Sequence, residues 1–368
     1  MTAPPGPRPP VGVGTPQPRT ALNAMLDRLP HVRAVVGERF PLYADPASGD
    51  WTSTRRGSWT GGFWAGLHWL GTAVRGDPSC RAAATEMTGR LAARAGDDTV
   101  TRAMTFWYGA AAVGGRICRD TTATRVALTG ARALAGSFDA GPGVFPVGSA
   151  FGGPPTPRIG IDALAAVVAL LCWADGPLSG ARQLARRHAA SCATLLVAAD
   201  GQVLAERELP AVGAPSTDGE MWTRGQAWGM LGFAVAADRF GGDFTEVARR
   251  TADHWLAVTG QNGSASRVPP AVVGRAGAPP DTSAAAIAAA ALWTLGGRPA
   301  PWAARYRSAA TATTAALVTG HLAADGTLRD GCYDLDRAVA PRHEVVWGSY
   351  FLAAALAAQS ATPPLVAW

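Results

Sequence analysis

Two kinds of helical pattern alternate along the chain. One kind opens on a polar or aromatic turn with small residues and runs into a body apolar on every side. Its members begin at Trp59 (WTGGFWAGLHWLG), Thr101 (TRAMTFWYGAAAVGG), Gly160 (GIDALAAVVALLCWA), Trp222 (WTRGQAWGMLGFAVAA), Asp281 (DTSAAAIAAAALWTL) and Glu344 (EVVWGSYFLAAALAA). After a first step of about forty residues the starts recur at roughly sixty, a period worth treating as a fold repeat. The second kind is amphipathic and dotted with Arg, covering approximately residues 21–36, 80–95, 122–135, 181–197, 244–258 and 301–318. A helix apolar all round belongs inside, and one with a charged face belongs outside. Alternation of the two classes predicts an all-α fold, an (α/α)6 toroid of six helical hairpins, with an irregular α-solenoid as the other arrangement the pattern allows. Signals for β structure are few. The linkers 141–157, 200–218 and 260–280 are too long for simple turns and are expected to form short hairpins or lids over one mouth.

Composition narrows the picture. The chain has 368 residues, 48% of them hydrophobic, enough for one large helical toroid. Residues 1–20, rich in Pro and Gly, read as a disordered tail without the apolar stretch of a signal peptide, and residues 21–368 as a single barrel domain. Every candidate membrane span is interrupted by Gly, Arg or Asp, so the expectation is a cytoplasmic protein with no membrane partner. The net charge is +6, yet every basic residue counted among the 33 Lys and Arg is Arg, and they are scattered. That is the mark of a GC-rich, bacterial-type coding bias. A nucleic-acid partner would demand a basic stripe with interleaved aromatics, which is absent. The cysteines (Cys80, Cys118, Cys172, Cys192, Cys332) are odd in number and form no CxxC pair, which suits free thiols. No HExxH motif or Cys/His cluster offers a metal site, and no cofactor is called for.

In a toroid the inner helices start at one mouth, where their unpaired N–H groups favour an anionic ligand. Trp59, Phe63, Trp64, Asp162, Trp222, Arg224, Gln226, Trp228, Trp347 and Tyr350 all fall at these starts. Tryptophans with a few polar groups are what stacking on sugar rings requires.

The segments GFWAGLHWL, TRGQAWGMLGFA, DTSAAAIAAAALWTL and EVVWGSYFLAAAL resemble the corresponding stretches of glycoside hydrolase family 88 and the related family 105, in the same order and over nearly the whole chain after about residue 20. The resemblance implies a six-hairpin, glycosidase-like toroid that removes a 4,5-unsaturated uronic acid from oligosaccharide ends, by hydration of an enol ether. It implies Asp162 as the catalytic acid/base, Arg224 on the uronate side and Trp228 as a stacking residue. Gln226, Trp64, Trp59, Trp222 and Trp347 complete the expected substrate contacts. Each has a bland counterpart: Asp162 as a helix N-cap, Arg224 salt-bridged to Asp218 or Glu220, the tryptophans as core. Asp281 reads as an N-cap. His68, His188, His254 and His321 read as structural or exposed, whereas His343 lies near the mouth.

The chain departs from the family at the cavity. Where the family carries T-H-D-x-G-F, this chain has Thr101-Arg102-Ala103-Met104-Thr105-Phe106, so its second aspartate is replaced by Ala103. The family's His-Gln-Gly run before RGQAW reads Val212-Gly213-Ala214-Pro215-Ser216, and Ser349 stands where Asp is common. Three readings follow: an unsaturated glucuronyl hydrolase-like enzyme; the same pocket repurposed in biosynthesis for cyclisation, isomerisation or dehydration of a metabolite; and a non-catalytic sugar- or metabolite-binding toroid. A carboxylate within reach of Asp162 would restore a two-acid site, and Asp218 and Glu344 are the first positions to inspect.

Overall fold

The computed structural model describes residues 17–152, 156–211, 213–217, 219–260, 267–361 and 364–368. The inner helices are α3 (Gly61–Arg75), α5 (Arg102–Phe106, continued by π-helical turns over Trp107–Gly115), α7 (Leu164–Ala174), α9 (Thr223–Phe240), α11 (Thr282–Gly296) and α13 (Val346–Ser360). Each packs against the next, and α13 packs back against α3, so the ring closes. Their bodies are buried on all sides, as the apolar patterns require. Small residues let the backbones approach: a Cβ on Gly62 of α3 would lie 2.7 Å from the carbonyl oxygen of Thr105.

The outer helices are α1 (Pro18–Asp27), α4 (Pro78–Leu91), α6 (Thr121–Ala135), α8 (Ala181–Leu196), α10 (Asp243–Gly260) and α12 (Ala303–Gly320). They back α13, α3, the α5 segment, α7, α9 and α11 respectively. The first outer pattern, expected as one helix over 21–36, is two: α1 ends before Arg28, and α2 (Leu29–Val36) begins with Pro30 in its first turn, where the missing N–H costs nothing. The expected tail also needs correction at its end, since α1 already begins at Pro18; residues 1–16 lie outside the described residues. A part-buried ion pair, Arg28 Nη1 to Glu344 at 2.8 Å, fastens α1–α2 to the start of α13.

The long linkers do pair, but mostly with other segments rather than on themselves. Strands β1 (Phe40–Ala44), β2 (Trp51–Thr54) and β7 (Glu344–Val345) form a three-stranded sheet in the order β2-β1-β7. β3 (Arg158–Gly160) pairs with β4 (Glu206–Glu208), and β5 (Met221–Trp222) with β6 (Val272–Val273), all antiparallel. β3, β5 and β7 run into the starts of α7, α9 and α13, so the ladders fix where those helix starts sit. At the opposite end, residues 364–368 lie across the barrel: Tyr350 donates to Ala367 O (2.6 Å), Trp368 to Thr294 Oγ1 (2.7 Å), and Arg116 to Val366 O.

Candidate active site

Asp162 lies in the turn between β3 and α7. The N-cap of α7 is Ala163, and no side chain caps that helix. The N-cap explanation of Asp162 therefore fails. The residue is half-buried, and its Oδ1 is buried without a hydrogen-bond partner among the described residues. Burial pushes its pKa up to about 7; Arg224 opposes the shift and Glu206 reinforces it. The β3–β4 ladder explains the second neighbour, since Gly160 faces Glu206 and Ile161 N–H donates to Ala205 O at 3.0 Å. Nothing in sequence spacing links residue 162 to residue 206.

Arg224, in the first turn of α9, is buried and anchored on three sides. Its Nη1 donates to Asp281 Oδ2 (3.2 Å) and to Cys332 O, and its Nη2 donates to Tyr333 O (2.8 Å). The ion pair seen for Arg224 is with Asp281; of the two partners expected, Glu220 pairs with Arg275 and Asp218 lies outside the described residues. Trp222 and Trp347 lie against the guanidinium, with ring centroids 5.0 and 5.3 Å from its carbon, a cation–π arrangement. Gly225 is what lets Trp222 lie there, because a Cβ at that position would come 2.4 Å from the indole. Two N–H groups, on Nε and Nη2, have no partner among the described residues.

Asp281 is the N-cap of α11, as expected, and more. Its Oδ1 accepts from Ser283 N (3.0 Å), Ala284 N (3.4 Å), Ser283 Oγ (2.6 Å) and Cys332 N (3.3 Å). Thr282 Oγ1 donates to Arg329 O at 2.8 Å. The RGQAW and DTSAAAI motifs thus interlock through Arg224–Asp281, and together they hold the segment around Cys332.

Beside this lock lies a cavity of about 900 Å³. Its wall includes Val203 to Glu206, Trp222, Arg224, Glu220, Arg275 and Tyr333 to Asp336. The two charges that act on Asp162, Arg224 and Glu206, both stand in this wall, although Asp162 is not itself one of the wall residues. Of the expected aromatic contacts, Trp222 lines the cavity, and half-buried Trp59 packs on Trp347 at 4.8 Å. Trp347 is fully buried between Trp59, Tyr333 and Arg224. Three other residues are corrections. Trp228 is fully buried among Phe63 and Phe351 in the barrel core. Trp64 is buried against His68 and beside Arg28 and Glu344, away from the cavity. Gln226 spends its amide on backbone: Oε1 accepts from Val203 N (2.8 Å), while Nε2 donates to Gly201 O and Thr251 O (both 3.0 Å). A polar side chain in an inner helix needed partners, and the turn before β4 together with a carbonyl of α10 supplied them.

The departures from the family pattern are also visible. Ala103 and Met104 are fully buried, and Arg102 turns outward to carbonyls of Thr99, Ala95 and Ala133. Glu344 is engaged by Arg28 and by Ser349 Oγ (3.2 Å), not by Asp162. The carboxylate that Asp162 feels is Glu206, which sequence reasoning missed, as it missed Tyr333 and Arg275. Glu206 and Arg275 had only their position in a long linker as a signal, and Tyr333 had none. His343 faces Tyr43 and Asp45. Among the described residues no group of His, Cys, Asp and Glu could hold a metal ion, and no helix is long and apolar enough to cross a membrane.

No family model matches the chain. A curated unsaturated glucuronyl hydrolase from Bacillus sp. (strain GL1) is 30% identical over 348 residues, spanning 87% of this chain and 90% of that protein. The solved structure of unsaturated glucuronyl hydrolase from Bacillus sp. GL1 superposes with a TM-score of 0.85 at 26% identity, covering 95% of this chain and 99% of that one. A second structure, of such an enzyme with dGlcA-Glc-Rha-Glc, gives the same TM-score of 0.85, 26% identity and coverage of 95% and 99%. Fold, motifs and relatives agree: this chain is a glycoside hydrolase-like enzyme and belongs to the unsaturated glucuronyl hydrolase family.

Proposed function

We propose that the protein hydrates the enol ether of a 4,5-unsaturated uronide at the end of an oligosaccharide, with Asp162 as the acid and then the base. The observation that carries this is the buried, unpartnered Oδ1 of Asp162, on a carboxyl whose pKa is pushed up to about 7. Such a group holds a proton near neutral pH and has nothing in the protein to give it to. The acid delivers its proton to C4 of the C4=C5 double bond, and the positive charge falls on C5 and the ring oxygen. Water adds at C5 and returns a proton to the carboxylate. The hemiketal then opens by breaking the bond from C5 to the ring oxygen, giving a ketone at C5 and a hemiacetal at C1, which expels the aglycone as an alcohol. One carboxyl group suffices for both proton transfers, so Ala103 in place of the family's second aspartate does not block the route.

Arg224 lies near Asp162 with two N–H groups still to satisfy, which fits an anionic substrate carboxylate. Trp222 and Trp59 are the aromatic faces open to stack on a ring. All five cysteines are free, which fits a reducing, cytoplasmic compartment. The closed ring from α1 to α13 favours a single catalytic domain.

The test is loss of enol-ether absorbance from a panel of unsaturated disaccharides. Turnover by the wild type that vanishes in Asp162→Asn is the expected result. A wild type that leaves the whole panel untouched would sink the reading and favour a repurposed pocket.

A further inference from the structure

The cavity is electrostatically polarised. At one end Arg224 is 9% exposed and its charge is met by the fully buried Asp281. The other, more open end has Glu220, Asp334 and Asp336 in its wall with one guanidinium, Arg275. Arg275 is already paired with two carboxylates: Nε and Nη2 grip Glu220 at 3.1 and 2.6 Å, and Nη1 reaches Asp336 at 2.7 Å. This bridge spans from the start of β5 to the loop after Cys332, so it fixes the carboxylates on both sides of the opening. Asp334 has a cation only at 3.8 Å, on Arg337, whose side chain is 83% exposed and screened by solvent. Glu206 is balanced by Arg158. The open end therefore presents three carboxylates against one committed cation among the described residues.

A cavity of about 900 Å³ is near the upper end for small-molecule pockets and has room beyond one sugar ring. With the uronate at the Arg224 end, the leaving sugar falls among Glu220, Asp334 and Asp336. A sulfate there would meet like charge and a guanidinium whose charge is already shared by two carboxylates, whereas an ammonium group would meet complementary charge.

We propose that the leaving sugar of the preferred substrate carries a protonated amine, that sulfated leaving sugars are rejected, and that Asp334 and Asp336 set this preference. The proposal rests on the reading of this cavity as the substrate site. Three unsaturated disaccharides test it, alike in uronate and linkage and differing in the second sugar: free amine, N-acetyl, and N-acetyl with a sulfate. At low salt, kcat/KM for the amine is expected to exceed that for the sulfate by about tenfold or more, with the N-acetyl sugar between. The gap should narrow in roughly 0.5 M salt and in the Asp334→Asn/Asp336→Asn double variant. An equal or reversed ranking overturns the proposal. If none of the three is turned over, the proposed reaction fails, but calorimetric titration of the same sugars into the wild type still reads the charge preference. Tighter binding of the amine upholds the preference; tighter binding of the sulfate, or no binding, overturns it.

Discussion

Two aspartates stand at the starts of two inner helices, and their surroundings could hardly differ more. Asp281, before α11, is fully buried, takes four hydrogen bonds on one oxygen and pairs with Arg224 through the other. Asp162, before α7, caps nothing, and its Oδ1 has no partner. The same residue type at equivalent places in the ring serves as a structural lock in one case and as a free acid in the other. What separates them is one step of register: Asp281 occupies the N-cap, whereas Asp162 precedes it, so its carboxylate cannot reach the first-turn N–H groups.

The same isosteric change at each position breaks the comparison apart. Asp162→Asn should lower kcat/KM by about a thousandfold, the scale of a general acid's contribution, without lowering the denaturation midpoint. Asp281→Asn should act first on stability, with a smaller loss of kcat/KM through the Arg224 it anchors. It keeps a capping oxygen but removes the counter-charge of a buried guanidinium, so urea denaturation should show a loss of about 3 kcal/mol. If the Asp162→Asn variant instead lost stability and kept its rate, the assignment of the two roles would be inverted.

Gln226→Leu sharpens the contrast from a third inner-helix position. It strands Val203 N, Gly201 O and Thr251 O in a buried setting, for about 2 kcal/mol of stability measured by urea titration. Because Val203 also lines the cavity, KM should rise while kcat holds. Gln226 thus groups with Asp281, not with Asp162.

The ring was legible in the sequence because it is written twice, in all-apolar and amphipathic helices whose spacing repeats, and the observed inner helices begin within a few residues of the expected starts. Asp162 and Arg224 were legible for a different reason: each sits in a local motif at a helix start. What sequence could not convey is pairing across the mouth. Glu206 meets Asp162 only through the β3–β4 register, and Arg224 meets Asp281 across 57 positions of chain. Two- and three-residue strands leave no period to read. The aromatic positions misled for the complementary reason. Trp64 and Trp228 share the composition of a sugar platform, but they project into the packed interior, where a large ring contributes most to burial.

The pH dependence is the readout most specific to Asp162. As the acid in the reaction, it must be protonated, so kcat/KM should fall above pH about 7, approaching tenfold per unit. The same shift acts on folding with a sign that can be worked out. The folded pKa lies above the ordinary 3.8, so the protonated form is favoured by the fold, and this contribution to stability is complete below pH 3.8. It drains away as pH rises toward 7 and is gone above it. Glu344, also pushed up to about 7 by burial, contributes a drain over much the same range, so the wild-type profile alone mixes the two. Subtracting the wild-type urea profile from that of Asp162→Asn removes the Glu344 part. The difference should move in favour of the Asn variant as pH climbs from 4 to 7 and then level off. A flat difference would mean that Asp162 finds a partner in solution, and its contrast with Asp281 would dissolve.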